Sequence, residues 1–478
     1  MKYFDNRVQE LKYKVLREVA SQTWKGYDAF SVFNEIANEI IKKDEPPQTC
    51  CIYKDRAVVA ERIRLAIGGN PKNPNVVQVI DIACDECPEA GYVVTDLCRG
   101  CIAHSCKDSC KLDAITIDEH QKAKIDKTKC VDCGRCAKAC KYSAIHNFQR
   151  PCELACKVNA ISMAEGGEAY IDPEKCIDCG ACVYHCPFGA TVDTSSIADI
   201  IRTIMRSENN TKYKMYAIVA PSLSAQFLWA KWGQVLTGIK RLGFYSVNEV
   251  ALGADMVADK ESEELLEKGF LTSSCCPAFV SYIKSNFPGM ADKISSNLSP
   301  MAELGKFIKE NEPGAQVVFI GPCIAKKAEV KMDSVKEYVD YAMTFEELVA
   351  LFDSKDITLA DLPELELNDA SSFGRQFAKK GGVIKAVEQA LKEKDIKDFK
   401  FNPIQCDGLD KCKTALARAD KGLLDANFIE GMACIGGCVG GSGNLVRWED
   451  APEEVSEHSE DAAVPEILPN IRKAINVL

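Results

Sequence analysis

The sequence predicts an α/β domain in its C-terminal half, preceded by a cysteine-rich α+β domain and a helical N-terminal region. Three observations carry this reading. The cysteines are clustered, with sixteen of the 25 between Cys84 and Cys186 and none from there to Cys275. Beyond residue 196, short apolar runs alternate with helical patterns. At the N-terminus, MKYFDNRVQELKYKVLREVA interleaves charged and apolar residues at helical spacing.

The resulting domains are 1–78 (helical), 79–195 (cysteine-rich), 196–450 (α/β) and 451–478 (an acidic tail ending in PEILPNIRKAINVL). PKNPN at 71–75 reads as the first linker by its Pro and Asn content. In the α/β region, MYAIVAP (215–221) and AQVVFIGP (315–322) read as buried strands, and ESEELLEKGF and MAELGKFIKE as helices. Such sheets bind ligands at the carboxyl ends of their strands, and Cys323 lies just past one of these.

Composition narrows the function. A formal charge of -11 over 478 residues argues against nucleic acid, whose phosphates require clustered Lys and Arg. No apolar run reaches the ~18 residues that span a bilayer, so no membrane is expected, and the N-terminus has no h-region of a secretory signal. These features predict a cytoplasmic protein. In that compartment disulfides are rare, so regularly spaced cysteines read as metal ligands.

The cysteine-rich domain repeats a C-x3-C pair before an apolar turn: Cys106/Cys110, Cys136/Cys140, Cys152/Cys156 and Cys182/Cys186. Cys130, Cys133, Cys136 and Cys140 follow C-x2-C-x2-C-x3-C, and Cys176, Cys179, Cys182 and Cys186 repeat it before Pro187. This is the bacterial ferredoxin signature, in which the fourth Cys of each run serves the other cluster. The domain is therefore expected to be ferredoxin-like with two [4Fe–4S] clusters. One would take Cys130, Cys133, Cys136 and Cys186, the other Cys176, Cys179, Cys182 and Cys140. Cys84, Cys87, Cys98, Cys101, Cys106, Cys110, Cys152 and Cys156 suffice for two further sites. The repeat favours iron–sulfur there, up to four clusters in all, while the paired C-x2-C spacing leaves zinc possible. Cys50, Cys51, Cys406 and Cys412 have no ligand pattern, and His104 reads as unligated.

The C-terminal cysteines lie in three segments, LTSSCCPAF (271–279), GPCIAKKAE (321–329) and EGMACIGGCVGGSG (430–443), each beside Pro or Gly. Such turns bring the backbone close to a cofactor and aim N–H groups at anions. Together they resemble the three signature motifs of [FeFe] hydrogenases, most closely the divergent group B. Phe279, Gly321 and Met301 replace the usual Trp, Met and Gln or His. The resemblance implies that Cys276, Cys323, Cys434 and Cys438 hold a [4Fe–4S] cubane, with Cys438 bridging to a two-iron subcluster bearing CO, CN⁻ and azadithiolate (the H-cluster). It makes Cys275 a proton-relay thiol and Lys326 the partner of a cyanide, with Lys327 a surface lysine. Glu261, Glu264 and Ser295 occupy relay positions, although a solvated acidic helix is the alternative for the two glutamates. Phe377 and Met301 would line the cofactor cavity, with a core role the alternative for Phe377. The implied activity is H2 ⇌ 2H⁺ + 2e⁻, with electrons passing to a ferredoxin or similar soluble carrier and maturation proteins installing the two-iron unit. The rival reading is a non-catalytic iron–sulfur assembly factor or H2 sensor on the same fold.

Overall fold

The computed structural model describes residues 4–28, 31–84, 87, 90–447 and 449–477. Two parallel sheets organise the C-terminal half. The larger has the strand order Ser246–Glu249, Met215–Val219, Gln316–Gly321 and Tyr341–Thr344. Its middle strands are continuous apolar runs because both faces are covered by helices, the pattern expected of a parallel sheet. The smaller sheet places Phe428–Met432 between Leu271–Thr272 and Pro403–Asp407. The two strands read from the sequence form as expected; the second sheet was not legible there.

Helix Val250–Lys268 contains the predicted ESEELLEK stretch, and Pro300–Asn311 contains MAELGKFIKE. Ser299 caps the latter by accepting from the Ala302 N–H, with Pro300 at its first turn.

Among the described residues between 77 and 193 lie four two-stranded antiparallel ladders and five short helices. The boundary expected at 78 falls inside strand Val77–Val79, which pairs with Thr191–Asp193. Upstream, helix Arg7–Trp24 is capped by the Asn6 side chain, which accepts from Gln9 N at 3.0 Å. Its apolar stripe of Val15, Leu16, Val19 and Ala20 is buried in the same core as the larger sheet.

Lys327 corrects the sequence reading. It is only 4% exposed, and its Nζ bridges Asp193 Oδ2 (2.7 Å) and Glu347 Oε1 (2.8 Å). Lys12 bridges the other Asp193 oxygen and Glu346, each at 2.6 Å. One buried network thus ties the N-terminal helix, the last strand of the cysteine-rich region and the larger sheet. Burial alone would raise the Asp193 pKa, but Lys12 and Lys327 outweigh it and hold the carboxyl well below its usual range.

The segment read as an acidic tail is also folded. It forms helices Ala451–Glu460 and Ile467–Val477, with Val455 and Ile467 fully buried. Asn470 donates to Asp255 Oδ2 at 3.0 Å, anchoring the last helix to Val250–Lys268. No helix of the described residues is long and apolar enough to cross a membrane.

Candidate metal centre

The three cysteine segments all leave the carboxyl ends of parallel strands. Cys275 and Cys276 follow Leu271–Thr272, Cys323 follows Gln316–Gly321, and Cys434 and Cys438 follow Phe428–Met432. The two sheets therefore deliver five thiols to one cavity, which Cys275, Cys276, Cys323, Cys434 and Cys438 line together with Lys326, Met301 and Phe377. Cys276 is the N-cap of helix Pro277–Asn286, with Pro277 at its first turn. Gly437 lets the third segment pass close to its neighbours. It sits at φ 90°, where a Cβ would meet Met432 Sδ at 2.9 Å and Ala378 O at 3.0 Å.

Burial pushes the Cys323 and Cys438 thiols up to about 12, so iron must displace protons as it binds. The donor set fits an iron–sulfur cluster: thiols converging on a largely apolar cavity beside one buried cation. That cation is Lys326. Its Nζ donates to Ser299 Oγ at 2.9 Å and to the Cys275 carbonyl at 3.4 Å, and it pairs with Glu329 Oε2 at 2.5 Å. Burial would lower its pKa, yet the Glu329 carboxylate prevails and holds the ammonium above the ordinary lysine value. Ser299 and Glu329 were missed in the sequence; the Ser-Pro helix start and the i+3 offset from Lys326 were the available signals.

Glu261 and Glu264 are not a solvated face. Glu261 is fully buried and Glu264 only 8% exposed. Glu261 Oε1 accepts from the Ser274 N–H at 3.1 Å and its hydroxyl at 3.3 Å, one residue from Cys275. Ser295 donates its hydroxyl to Glu264 Oε2 at 3.0 Å, and the half-exposed Lys268 pairs with Glu264 Oε1 at 2.6 Å. A polar track thus runs from beside Cys275 towards the surface. Burial raises Glu261 to about 7. Glu264 is held below its usual value, because Lys268 and the Ser296 N–H outweigh its burial.

Glu261→Gln keeps the hydrogen-bond acceptor and removes the titration. Because the folded value lies above the ordinary 4.5, folding takes up a proton between those values, and stability falls as pH rises through that window. The variant is expected to unfold at higher temperature than the parent at pH 8, and any proton-coupled activity that runs through Glu261 to drop about 100-fold. Calorimetry and a pH–rate profile read the two effects separately.

Residues 213–442 match the family described as the iron only hydrogenase large subunit, C-terminal domain. Residues 150–190 match a 4Fe-4S dicluster domain, and residues 122–145 a 4Fe-4S binding domain. Residues 213–442 are thus [FeFe]-hydrogenase-like. The chain is 27% identical to iron hydrogenase 1 of Clostridium pasteurianum over 386 residues, covering 68% of this chain and 66% of that protein. It is also 29% identical over 140 residues to the cytosolic Fe-S cluster assembly factor NAR1 of Eremothecium gossypii, covering 27% of this chain and 31% of that protein. A solved [FeFe]-hydrogenase structure, studied for oxygen inactivation, superposes with a TM-score of 0.50 at 20% identity, covering 59% of this chain and 94% of that one. It shares the fold.

The departures from the hydrogenase pattern have distinct physical settings. At Gly321 a Cβ would lie 2.3 Å from the Phe319 ring, so Phe319, two residues earlier on the same strand face, fills that part of the cavity wall. Met301 and Phe377 line the cavity. Phe279 does not: it is fully buried in the core behind it, its ring 2.1 Å from where a Gly431 Cβ would stand. Cys406 and Cys412 are buried thiols, with Cys412 donating to the Cys406 and Met432 carbonyls at 3.6 Å.

The expected partition of the ferredoxin-type ligands fails. Cys130, Cys133 and Cys136 line a cavity with Cys110, whereas Cys186 packs in one apolar cluster with Cys84. Cys140 shares its cluster with Cys98, Cys106 and Cys110. The neighbours of each run's last cysteine are set by packing at long range. The other run approaches the five-cysteine cavity. Cys179 shares an apolar cluster with Cys276 and Cys323, and the Ser442 hydroxyl donates to its carbonyl at 3.1 Å.

Proposed function

We propose that this protein catalyses H2 ⇌ 2H⁺ + 2e⁻ at an H-cluster held by Cys276, Cys323, Cys434 and Cys438, and works in the cytoplasm with a ferredoxin-type carrier. The observation that carries the reading is the junction of four converging thiols, a buried cation and a carboxylate track in one cavity. When bound, the cluster with its azadithiolate would supply the open iron position and the nearby amine at which H2 is split or formed. The protein's own residues do the rest. Lys326, held by Ser299 and Glu329, presents its charge to the anionic part of the cluster. Cys275 takes up or returns the proton and exchanges it with Glu261; Ser295 and Glu264 carry it to the rim beside Lys268. Met301, Phe319 and Phe377 exclude water. Electrons leave by way of the Cys179 loop to the other iron–sulfur sites, where the exposed Cys133 marks the end open to a carrier.

The NAR1 matches favour a second reading, a non-catalytic assembly factor on this fold. That role requires neither Cys275 nor the buried Glu261. Anaerobic assay of protein co-produced with hydrogenase maturation proteins separates the two: H2-dependent reduction of a viologen dye supports the enzyme, and none from iron-replete protein supports the assembly factor.

A further inference from the structure

Four of the eight cysteines left unassigned by the ferredoxin signature, Cys106, Cys110, Cys152 and Cys156, share a fourfold structural repeat with the last two cysteines of each signature run. Helices Ser105–Asp108, Arg135–Ala139, Pro151–Ala155 and Ala181–His185 each carry a cysteine at their second residue: Cys106, Cys136, Cys152 and Cys182. Four residues on stand Cys110, Cys140, Cys156 and Cys186. Each is followed by a left-handed residue, Asp113, Ser143, Asn159 or Gly189. The next N–H, of Ala114, Ala144, Ala160 or Ala190, donates to that cysteine's Sγ at 3.2–3.4 Å. The four turns are the same object built from different sequences.

Their strands sort them into pairs. Gly91–Val94 pairs with Ile145–Phe148, and Ile115–Ile117 with Ala123–Ile125, enclosing the first two helices, which pack on each other. Val77–Val79 pairs with Thr191–Asp193, and Ile161–Met163 with Ala169–Ile171, enclosing the other two, which also pack on each other. The first unit therefore lies wholly within the second, between Cys87 and Cys152. Its two ends are partners in one ladder, so the insertion enters and leaves at adjacent points. Arg150, only 2% exposed, closes the seam. Its guanidinium donates to Cys84 Sγ at 3.5 Å and to the Cys87 carbonyl at 3.3 Å, so Cys84 and Cys87 are held beside Cys152 although the chain between them is a separate unit.

Backbone signs complete the match inside the first unit. Gly100 and His104 are left-handed where Asp132 and Gly134 are left-handed in the second half, so Cys98, Cys101 and Cys106 take the places of Cys130, Cys133 and Cys136 despite two extra residues. His104 serves as the N-terminal cap of its helix, as Gly134 does, which explains a histidine there without making it a ligand.

We propose that residues 77–193 form two ferredoxin units, one inserted in the other, holding four [4Fe–4S] clusters with the fourth ligand exchanged inside each unit. Cys98, Cys101 and Cys106 take Cys140, and Cys130, Cys133 and Cys136 take Cys110. Cys84, Cys87 and Cys152 take Cys186, and Cys176, Cys179 and Cys182 take Cys156. The cavity of about 260 Å³ that Cys110 lines with Cys130, Cys133 and Cys136 is one of these sites.

Double substitutions in the full-length, anaerobically reconstituted chain test the exchange without reference to turnover. Cys98→Ala with Cys140→Ala abolishes one cluster, and Cys98→Ala with Cys110→Ala abolishes two, read as intact clusters per chain by Mössbauer spectroscopy and native mass spectrometry. The same contrast holds for Cys84 with Cys186 against Cys84 with Cys156. The reverse contrast overturns the partition. If alanine variants fail to fold, serine variants give the same reading by EPR: Cys98→Ser and Cys140→Ser perturb one reduced-cluster signal, Cys98→Ser and Cys110→Ser two. Unsubstituted protein supplies a further check, since zinc in place of iron at either of the two added sites overturns the proposal.

Discussion

On the proposed reaction, Cys275→Ser is expected to lower H2 turnover by about 100- to 10,000-fold while leaving iron content and the cluster EPR signals unchanged. The magnitude is that of removing a positioned acid–base group. Cys275 follows Ser274, whose N–H and hydroxyl hold the Glu261 carboxyl. Its side chain packs against Phe377 and Met432, and the Glu261 carboxyl is the foremost charge acting on it. Burial pushes the thiol up, so it is neutral at rest and has a proton to pass. A serine hydroxyl has nearly the same shape but is far too weak an acid to exchange that proton at neutral pH. Iron analysis separates this from a ligand role, because a ligand substitution would also alter the cubane. Activity within about threefold of the parent would remove Cys275 from the relay.

Lys327→Met destabilises the protein by about 3–5 kcal/mol, the usual cost of leaving a buried charge without its partner. Asp193 and Glu347 lose one of their cations, and the larger sheet loses a tie to the cysteine-rich region. The measurement is a denaturant midpoint at constant cluster loading. Pairing Lys327→Met with Glu347→Gln recovers part of the loss, because it withdraws one of the buried charges left unpaired together with its partner. A loss under 1 kcal/mol would show that the network relaxes or takes in water.

The α/β core and the cysteine runs were legible because their signals are local. Buried strands such as AQVVFIGP are apolar throughout, and C-x2-C-x2-C-x3-C fixes a backbone path within eleven residues. What was not legible depends on contacts far apart in the chain. Strand Pro403–Asp407 contains Pro, Gln and Asp, and Leu271–Thr272 spans only two residues, so neither carries a periodic signal. The last ligand of each ferredoxin run depends on which helices pack, and the insertion between Cys87 and Cys152 hides one half-motif from any spacing rule. Adjacent lysines in AKKAE give no sign that both are buried, each held by different carboxylates. The final helices read as a charged tail because Val455, Ile467 and Asn470 are few among many acids. Residues given relay positions, such as Glu261, were placed by family offset alone; only burial distinguishes them from an acidic surface helix.

Infrared spectroscopy of the anaerobically matured, iron-replete protein tests the central claim most directly. The cavity of Cys276, Cys323, Cys434, Cys438 and Lys326, if it holds an H-cluster, gives sharp CO and CN⁻ stretching bands that shift under H2. Lys326→Met should weaken or remove them while the cubane EPR signal persists. Full iron loading with no CO or CN⁻ bands in the unsubstituted protein would contradict the hydrogenase account and leave a cubane-only, assembly-factor-like centre.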